Sequence, residues 1–480
     1  MIIKVLTFIM LISVTQLSAD DYSEWLASTQ NQYKQYKKDN DAKFAKMLKE
    51  DWEKFSLYSQ PSVYKKEKKA KLPKLLTPIK LSKKEIKSSP AVILSPLVKL
   101  RDKEVKQTTP KKLKIKELNT LSSVNMDFFS VALSFYHDKL FSISLSTPNA
   151  QNIASFWEQV SKKKWKPLVK QLNTTSANLH LNDWAKYQLV HKLSYAIFKD
   201  DNHANMLSWF LLTKMGFDTK LAYSNSKVFL LATVTNTLYQ VAFIKINDKN
   251  YYVLTPQGKS KNIGSVVTYK GSYNKALKSM SFTVDKELKF ESALQQRILN
   301  FEYEGKTYNI TTKYNKNLVN FYRTFPQTDF QTYFNAQYSM PLQQSLLHSL
   351  QPLLKNRSEV EAVNFLLRFT QTSFKYQTDP VQFGYEKPMF PEETLFYPYS
   401  DCEDRAILFN FLVTNLLGLN VVGVQYSGHL ATAVAFHSLV KGDSFKYNNT
   451  TYTIADPTYI NANVGMSMKQ YEGEKFIVVQ

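Results

Sequence analysis

Apolar and polar positions divide this chain into stretches of different rhythm. After Met1-Ile2-Ile3-Lys4 the residues are apolar from Val5 to Leu17, then reach Ser18-Ala19-Asp20. A short charged start, an apolar run and a small residue ahead of a polar one predict a signal peptide over 1–19. The run is shorter than the about 20 apolar residues that a membrane span needs. Across 20–60, Trp25, Tyr33, Tyr36, Phe44, Met47, Leu48, Trp52 and Phe55 recur near helical spacing among lysines, which predicts an amphipathic helix. Residues 61–119 carry prolines at 61, 73, 78, 90, 96 and 110 and no period, so an extended or disordered basic linker is expected.

From Leu121 the pattern becomes globular and aromatic-rich, and more residues remain than one core usually holds. Phe128–Phe135 and Leu140–Leu145 alternate as strands do, while Ser155–Lys170 and Asp183–Phe198 have the helical period. Ser281–Glu287, Leu299–Tyr303 and Thr307–Lys313 predict a small β region with a Glu304-Gly305-Lys306 turn. Helices return near Leu342–Leu354 and Val360–Thr370. The divisions expected are 120–260, 261–325 and 326–480.

The pattern also repeats. Met206–Gly216 matches Ile407–Gly418 as an apolar helix with a glycine stop. A short strand follows each, then Lys227–Val234 against His429–Phe436, and Asn250–Pro256 against Thr450–Pro457. The earlier stretch reads as a degenerate copy of the later one.

Chemistry concentrates in the later copy. Cys402 is the only cysteine. His429 follows it by 27 residues and Asp456 follows His429 by another 27. A thiol, an imidazole and a carboxylate in this order suit a nucleophile, base and orienter. Asp401 caps a helix beginning at Cys402, whose N-terminal position favours thiolate. Glu403 and Asp404 oppose that charge unless turned away or neutralised, by Arg405 or a cation. His429, Ala431, Ala433 and Ala435 share one strand face, and the small alanines would let the cysteine helix pack close there. Offset by 201, the three site positions become Asp201, Val228 and Thr255 in the earlier copy, where all three groups are lost. The second oxyanion donor, beside the Cys402 N–H, would come from Tyr397 or Tyr399.

Composition adds compartment and charge. A lone thiol cannot form an intramolecular disulfide, and in an oxidising compartment it is a liability unless buried or used. The net charge is +22, and Pro61–Glu117 holds 18 Lys and Arg against 5 Asp and Glu. That tract reads as a solvated linker or as a contact for an anionic envelope surface. No recognised nucleic-acid motif accompanies it.

Asp401-Cys402-Glu403-Asp404 opening a helix, Gly428-His429 with Ala431–Val434, and Asp456-Pro457 together carry a resemblance. With Phe374-Lys375-Tyr376 and Pro391-Glu392-Glu393-Thr394-Leu395 upstream, the segment from Val360 to Val464 resembles a transglutaminase-like domain of the bacterial cysteine peptidase kind. The resemblance implies an α+β, papain-like fold, with the cysteine on a helix N-terminus and the histidine and aspartate on an antiparallel sheet. It implies acyl transfer at amides by Cys402, His429 and Asp456, ending on water or on an amine. The substrate would be an envelope or extracellular protein or peptide, met in the periplasm or outside the cell. The chemistry requires no cofactor. In one branch, periplasmic proteinases that release biofilm adhesins, the acidic residues around the cysteine bind calcium, and Asp401, Glu403 and Asp404 match those positions. The rival reading is a non-enzymatic envelope binding or assembly protein built on the same scaffold.

Overall fold

The computed structural model describes residues 28, 40–62, 77, 89–95, 121–138, 147–260 and 264–480. The expected signal peptide, most of the expected linker and the expected Leu140–Leu145 strand lie outside them. The protein is mixed α/β, and two segments of one topology dominate it.

In the first half, Asn182 and Asp200 cap successive helices, Asp183–Phe198 and Asp201–Lys214, by accepting from Ala185 N and His203 N, each at 2.9 Å. The second helix is buried on nearly every side, as its apolar sequence requires. Five antiparallel strands follow, in the spatial order Ser265–Tyr269, Thr219–Ser224, Lys227–Thr233, Lys249–Leu254, Ala242–Ile246. In the second half, a Ser358–Glu361 capping box opens Glu359–Thr372. Gly418, at φ 66°, ends Cys402–Leu417. The strands then run Ile477–Val479, Val421–Tyr426, His429–Val434, Thr450–Ala455, Ser444–Tyr447. The order is the same: last, first, second, fourth, third.

Each sheet is apolar on both faces. One face joins a single continuous core that runs through both halves and includes Leu221, Leu230, Leu430 and Val434. The other faces curl round smaller clusters, Ala222–Leu231–Ile244–Val253 in the first half and Val422–Val424–Ala433–Ile454 in the second. Ala431 and Ala433 therefore belong to the curled-in cluster, and the cysteine helix packs on the Leu430 and Val434 side. This reverses the face expected from the alanine run.

Several elements differ from their expected bounds. Ser155–Lys170 is two helices, Ala150–Ser161 and Lys166–Asn178, the second begun by Pro167 in its first turn. Phe128–Phe135 straddles a hairpin, Leu121–Phe128 with Val131–Asp138, because Phe129 and Ser130 turn the chain at φ 51° and 64°. Ser281–Glu287 forms no strand. Leu294–Tyr303 and Lys306–Asn315 form the expected hairpin, turned at Glu304-Gly305.

The N-terminal region holds more than a helix. Residues 40–50 are helical, and Phe44 packs on Trp157 with ring centroids 4.6 Å apart. Trp52–Ser56 and Tyr58–Ser59 are then strands, added to the two edges of the first sheet. Residues 89–95, expected as linker, lie against the second half instead. Val92 N donates to Arg357 O (2.9 Å) and Ser95 N to Leu416 O (2.8 Å).

Candidate active site

Cys402 is the first residue of its helix, and its N-cap, Asp401, is extended at φ −111°. Asp404 reaches back to the Asp401 N–H (3.2 Å) and also accepts from Met389 N (2.8 Å). Arg405, one turn in, is fully buried and donates to Ser400 Oγ, Gln371 O and Phe374 O at 3.2, 3.1 and 2.8 Å. It pins the helix start by carbonyls and a hydroxyl, and forms no ion pair with the neighbouring acids.

His429 follows the tight turn at Ser427-Gly428, with Gly428 at φ 82°, and opens the second strand opposite Tyr426. Asp456 follows the fourth strand. Its Oδ1 accepts from Thr458 N (2.8 Å) and Tyr459 N (3.2 Å), which fixes the carboxylate and leaves Oδ2 for His429 Nε2 at 2.8 Å. Cys402 also lies near enough to the imidazole to help raise its pKa. With Nε2 on Asp456, Nδ1 is the nitrogen left for sulfur. The fold thus brings Cys402, His429 and Asp456 into one chain of contacts, at 7%, 4% and 3% exposure. Burial pulls the His429 pKa down, but the Asp456 charge, its hydrogen bond and Cys402 push it up to about 10. The ring is also covered by Tyr471, which stacks on it at 4.9 Å and 10°.

Gln371, which the sequence pattern did not single out, ties the pieces together. Its Nε2 donates to Asp456 O and Ala462 O, both at 3.1 Å, while its own carbonyl accepts from Arg405. One residue thereby sets the aspartate strand end against the cysteine helix.

The expected oxyanion donors stand in the segment just ahead of the cysteine, Tyr397 at the end of Pro391–Phe396 and Tyr399 in the strand Tyr399–Ser400. The Tyr397 ring packs on Phe383 (5.0 Å) and Phe396 (4.8 Å). Tyr376 is the tyrosine brought close. It pairs across a parallel bridge with Ser400, two residues before the cysteine, and lies over Arg405 at 5.3 Å. Burial first, then the charges of Cys402, Asp401 and Glu403, hold its hydroxyl protonated well beyond the usual range.

Acidic groups crowd the same place. One carboxylate oxygen from each of Asp379, Asp401 and Glu403 lies within 4.8 Å of the others, all buried. Each of the three has an oxygen that no N–H or O–H of the protein satisfies. The thiol donates to Glu403 Oε2 at 3.2 Å. Asp404 is not in the group, its two oxygens accepting from the Met389 and Asp401 backbone N–H groups, and Asp379 stands there instead. Burial, followed by neighbouring carboxylates, raises Asp379 and Glu403 far above the usual carboxylate range. Burial also raises Asp401. Asp379 precedes Pro380 in a short helix with no recognisable motif, so nothing in the sequence pointed to it.

In the first half Asp201 opens the matching helix, and Thr255 stands after the matching strand. Hairpin register sets Lys227 opposite Ser224 as His429 stands opposite Tyr426, one residue from the Val228 expected. Asn202 and Asn205 fill the place of the chemistry: they hold Val228 N at 2.9 Å and Val228 O at 3.0 Å.

No family model, curated protein or solved structure matches this chain.

Proposed function

We propose that the protein is a transglutaminase-like cysteine peptidase or amidase, acting through an acyl-thioester on a protein of the cell envelope or its surroundings. The observation that carries this reading is the buried meeting of Cys402, His429 and Asp456, in which the fixed carboxylate of Asp456 holds the imidazole at 2.8 Å and Cys402 acts on its pKa.

In the mechanism, the thiol proton passes to His429, whose raised pKa holds it as imidazolium, and Sγ attacks the amide carbonyl carbon as thiolate while the carbonyl oxygen becomes an oxyanion. The Cys402 N–H and the Tyr376 hydroxyl are the donors assigned to receive it. His429 then passes its proton to the leaving amine nitrogen as the C–N bond breaks, leaving a thioester. Water attacks the thioester with His429 again as base, and the acid departs as the thiol regains its proton. Asp456 holds the imidazole in one tautomer and offsets its charge throughout. The burial of the triad favours a second ending of the same chemistry, transfer to an amine, because a site closed to water slows hydrolysis of the thioester.

Calcium suits the buried acids. It prefers oxygen ligands, and Asp379, Asp401 and Glu403 each offer an unsatisfied oxygen. When bound there it would offset the carboxylate charge beside the sulfur. Export rests on the N-terminal sequence. Among the described residues no helix is long and apolar enough to cross a membrane.

The test is alkylation of Cys402 by iodoacetamide across pH, read by intact mass with and without calcium, beside a Cys402→Ala control. Labelling faster than an ordinary thiol, and slowed by His429→Ala, is expected. Labelling at the rate of a free thiol, indifferent to His429, overturns the catalytic reading in favour of a binding scaffold.

A further inference from the structure

The two sheets share their strand order but not their edges. In the first half one run of eight residues, Trp52–Ser59, occupies both. Trp52–Ser56 pairs with Ser265–Tyr269, Leu57 N donates to Gly264 O at 2.9 Å, and Tyr58–Ser59 pairs with Ala242–Ile246. The run closes the sheet on itself, and Leu57 and Phe55 join the cluster inside.

In the second half the matching edges are Ile477–Val479 and Ser444–Tyr447, and among the described residues no further strand pairs with either. They meet through side chains only. Phe445 and Phe476 touch at 4.8 Å, and Tyr447 Oη reaches Gln480 Oε1 at 3.5 Å. The seam is open to solvent, with Ile477 65% and Phe476 36% exposed. An unpaired strand edge is a template for another strand, and extended peptides bind sheets in this way.

We propose that this seam is a docking site for an extended segment of a partner polypeptide, which enters as the strand that residues 52–59 supply in the first half. The occupant is a β-forming segment of about eight residues with apolar side chains two apart, as Phe55 and Leu57 are. Those side chains enter the cluster of Val424, Tyr452 and Ile454, whose aromatic rim includes Phe445 and Tyr471. Entry parts Phe445 from Phe476. Phe476 lies on Tyr426 (5.6 Å), Tyr426 on Tyr471 (4.9 Å) and Tyr471 on His429 (4.9 Å), so docking reaches the imidazole through three rings. The proposal is independent of the cysteine chemistry.

The experiment uses the full chain carrying Cys402→Ala, so that the result stands whether or not the protein is an enzyme. The probe is a synthetic peptide with the sequence of residues 51–60, and the readout is backbone amide exchange. Slowing of tenfold or more at 444–447 and 477–479 together is expected, along with photocrosslinking of the peptide from 4-benzoylphenylalanine placed at position 476. Lys446→Pro, which removes an edge donor, should abolish the slowing without lowering the melting temperature. The idea is overturned by unchanged exchange at both edges in millimolar peptide, or by slowing at one edge alone. Slowing confined to 242–246 and 265–269 also overturns it, being exchange with the chain's own run. So does pairing of the seam with a second copy of the protein in the absence of peptide.

Discussion

Two helices begin at equivalent places in the two halves of this molecule, and their first turns are held differently. At Cys402 a thiol, an imidazole and three unsatisfied carboxylates are buried together. At Asp201 the neutral amides of Asn202 and Asn205 hold the neighbouring hairpin. The scaffold therefore closes without the charged groups, and closes at less cost, because buried charge must be desolvated. What the second half keeps is unfavourable for folding and fits a site whose groups are shifted for chemistry.

Exchanging residues between the halves tests this most sharply. Cys402→Ala should lower turnover of a peptide amide by about 10⁴-fold or more, read by release of a fluorogenic amine. Asp201→Cys, which puts a thiol at the other helix start, should create none. Asp456→Asn should cost about 10²–10⁴-fold by releasing the imidazole from its tautomer.

Acidity separates the halves next. The His429 pKa is raised from 6.5 to about 10. Its stabilisation is complete below pH 6.5 and is lost as the pH rises through about 10. The melting temperature should fall across that window, and Asp456→Asn should flatten the fall. Leu57→Ala, in the closed sheet, should cost about 2–4 kcal/mol in urea unfolding, whereas Phe476→Ala at the open seam should cost under about 1 kcal/mol. Calcium at 100 times its dissociation constant should stabilise by about 2.7 kcal/mol, and Asp379→Asn should remove most of that gain while leaving the first half unaffected.

Local rules carried far in some places and failed for identifiable reasons in others. Asp183–Phe198 could be bounded because Asn182 caps its start and apolar residues recur along it without a breaker. Cys402 and His429 stood out as rare residue types at element ends, and Asp456 by its place before Pro457 at a strand end. The face of the His429 strand could not be read. All six of its residues are buried, so alternation carried no sign of which side meets the helix. Phe129 and Ser130 turn a hairpin at positive φ without glycine, so no turn signal interrupted the alternation. Asp379, Gln371 and Tyr376 come from separate elements and meet only in three dimensions. The strand at Trp52–Ser59 was hidden because its aromatic residues also fit a helical spacing, and its partners lie some two hundred residues away.

That last separation governs how the chain can be built. The arm that closes the first sheet is made early in synthesis, but Ser265–Tyr269 must exist before Trp52–Ser56 can pair. Residues 89–95 wait longer still, for Arg357 and Leu416. Both closures span long loops and are paid in chain entropy before any contact rewards them. The arm is therefore a late-folding element, and until it docks the first sheet displays bare edges like those the second sheet shows among the described residues.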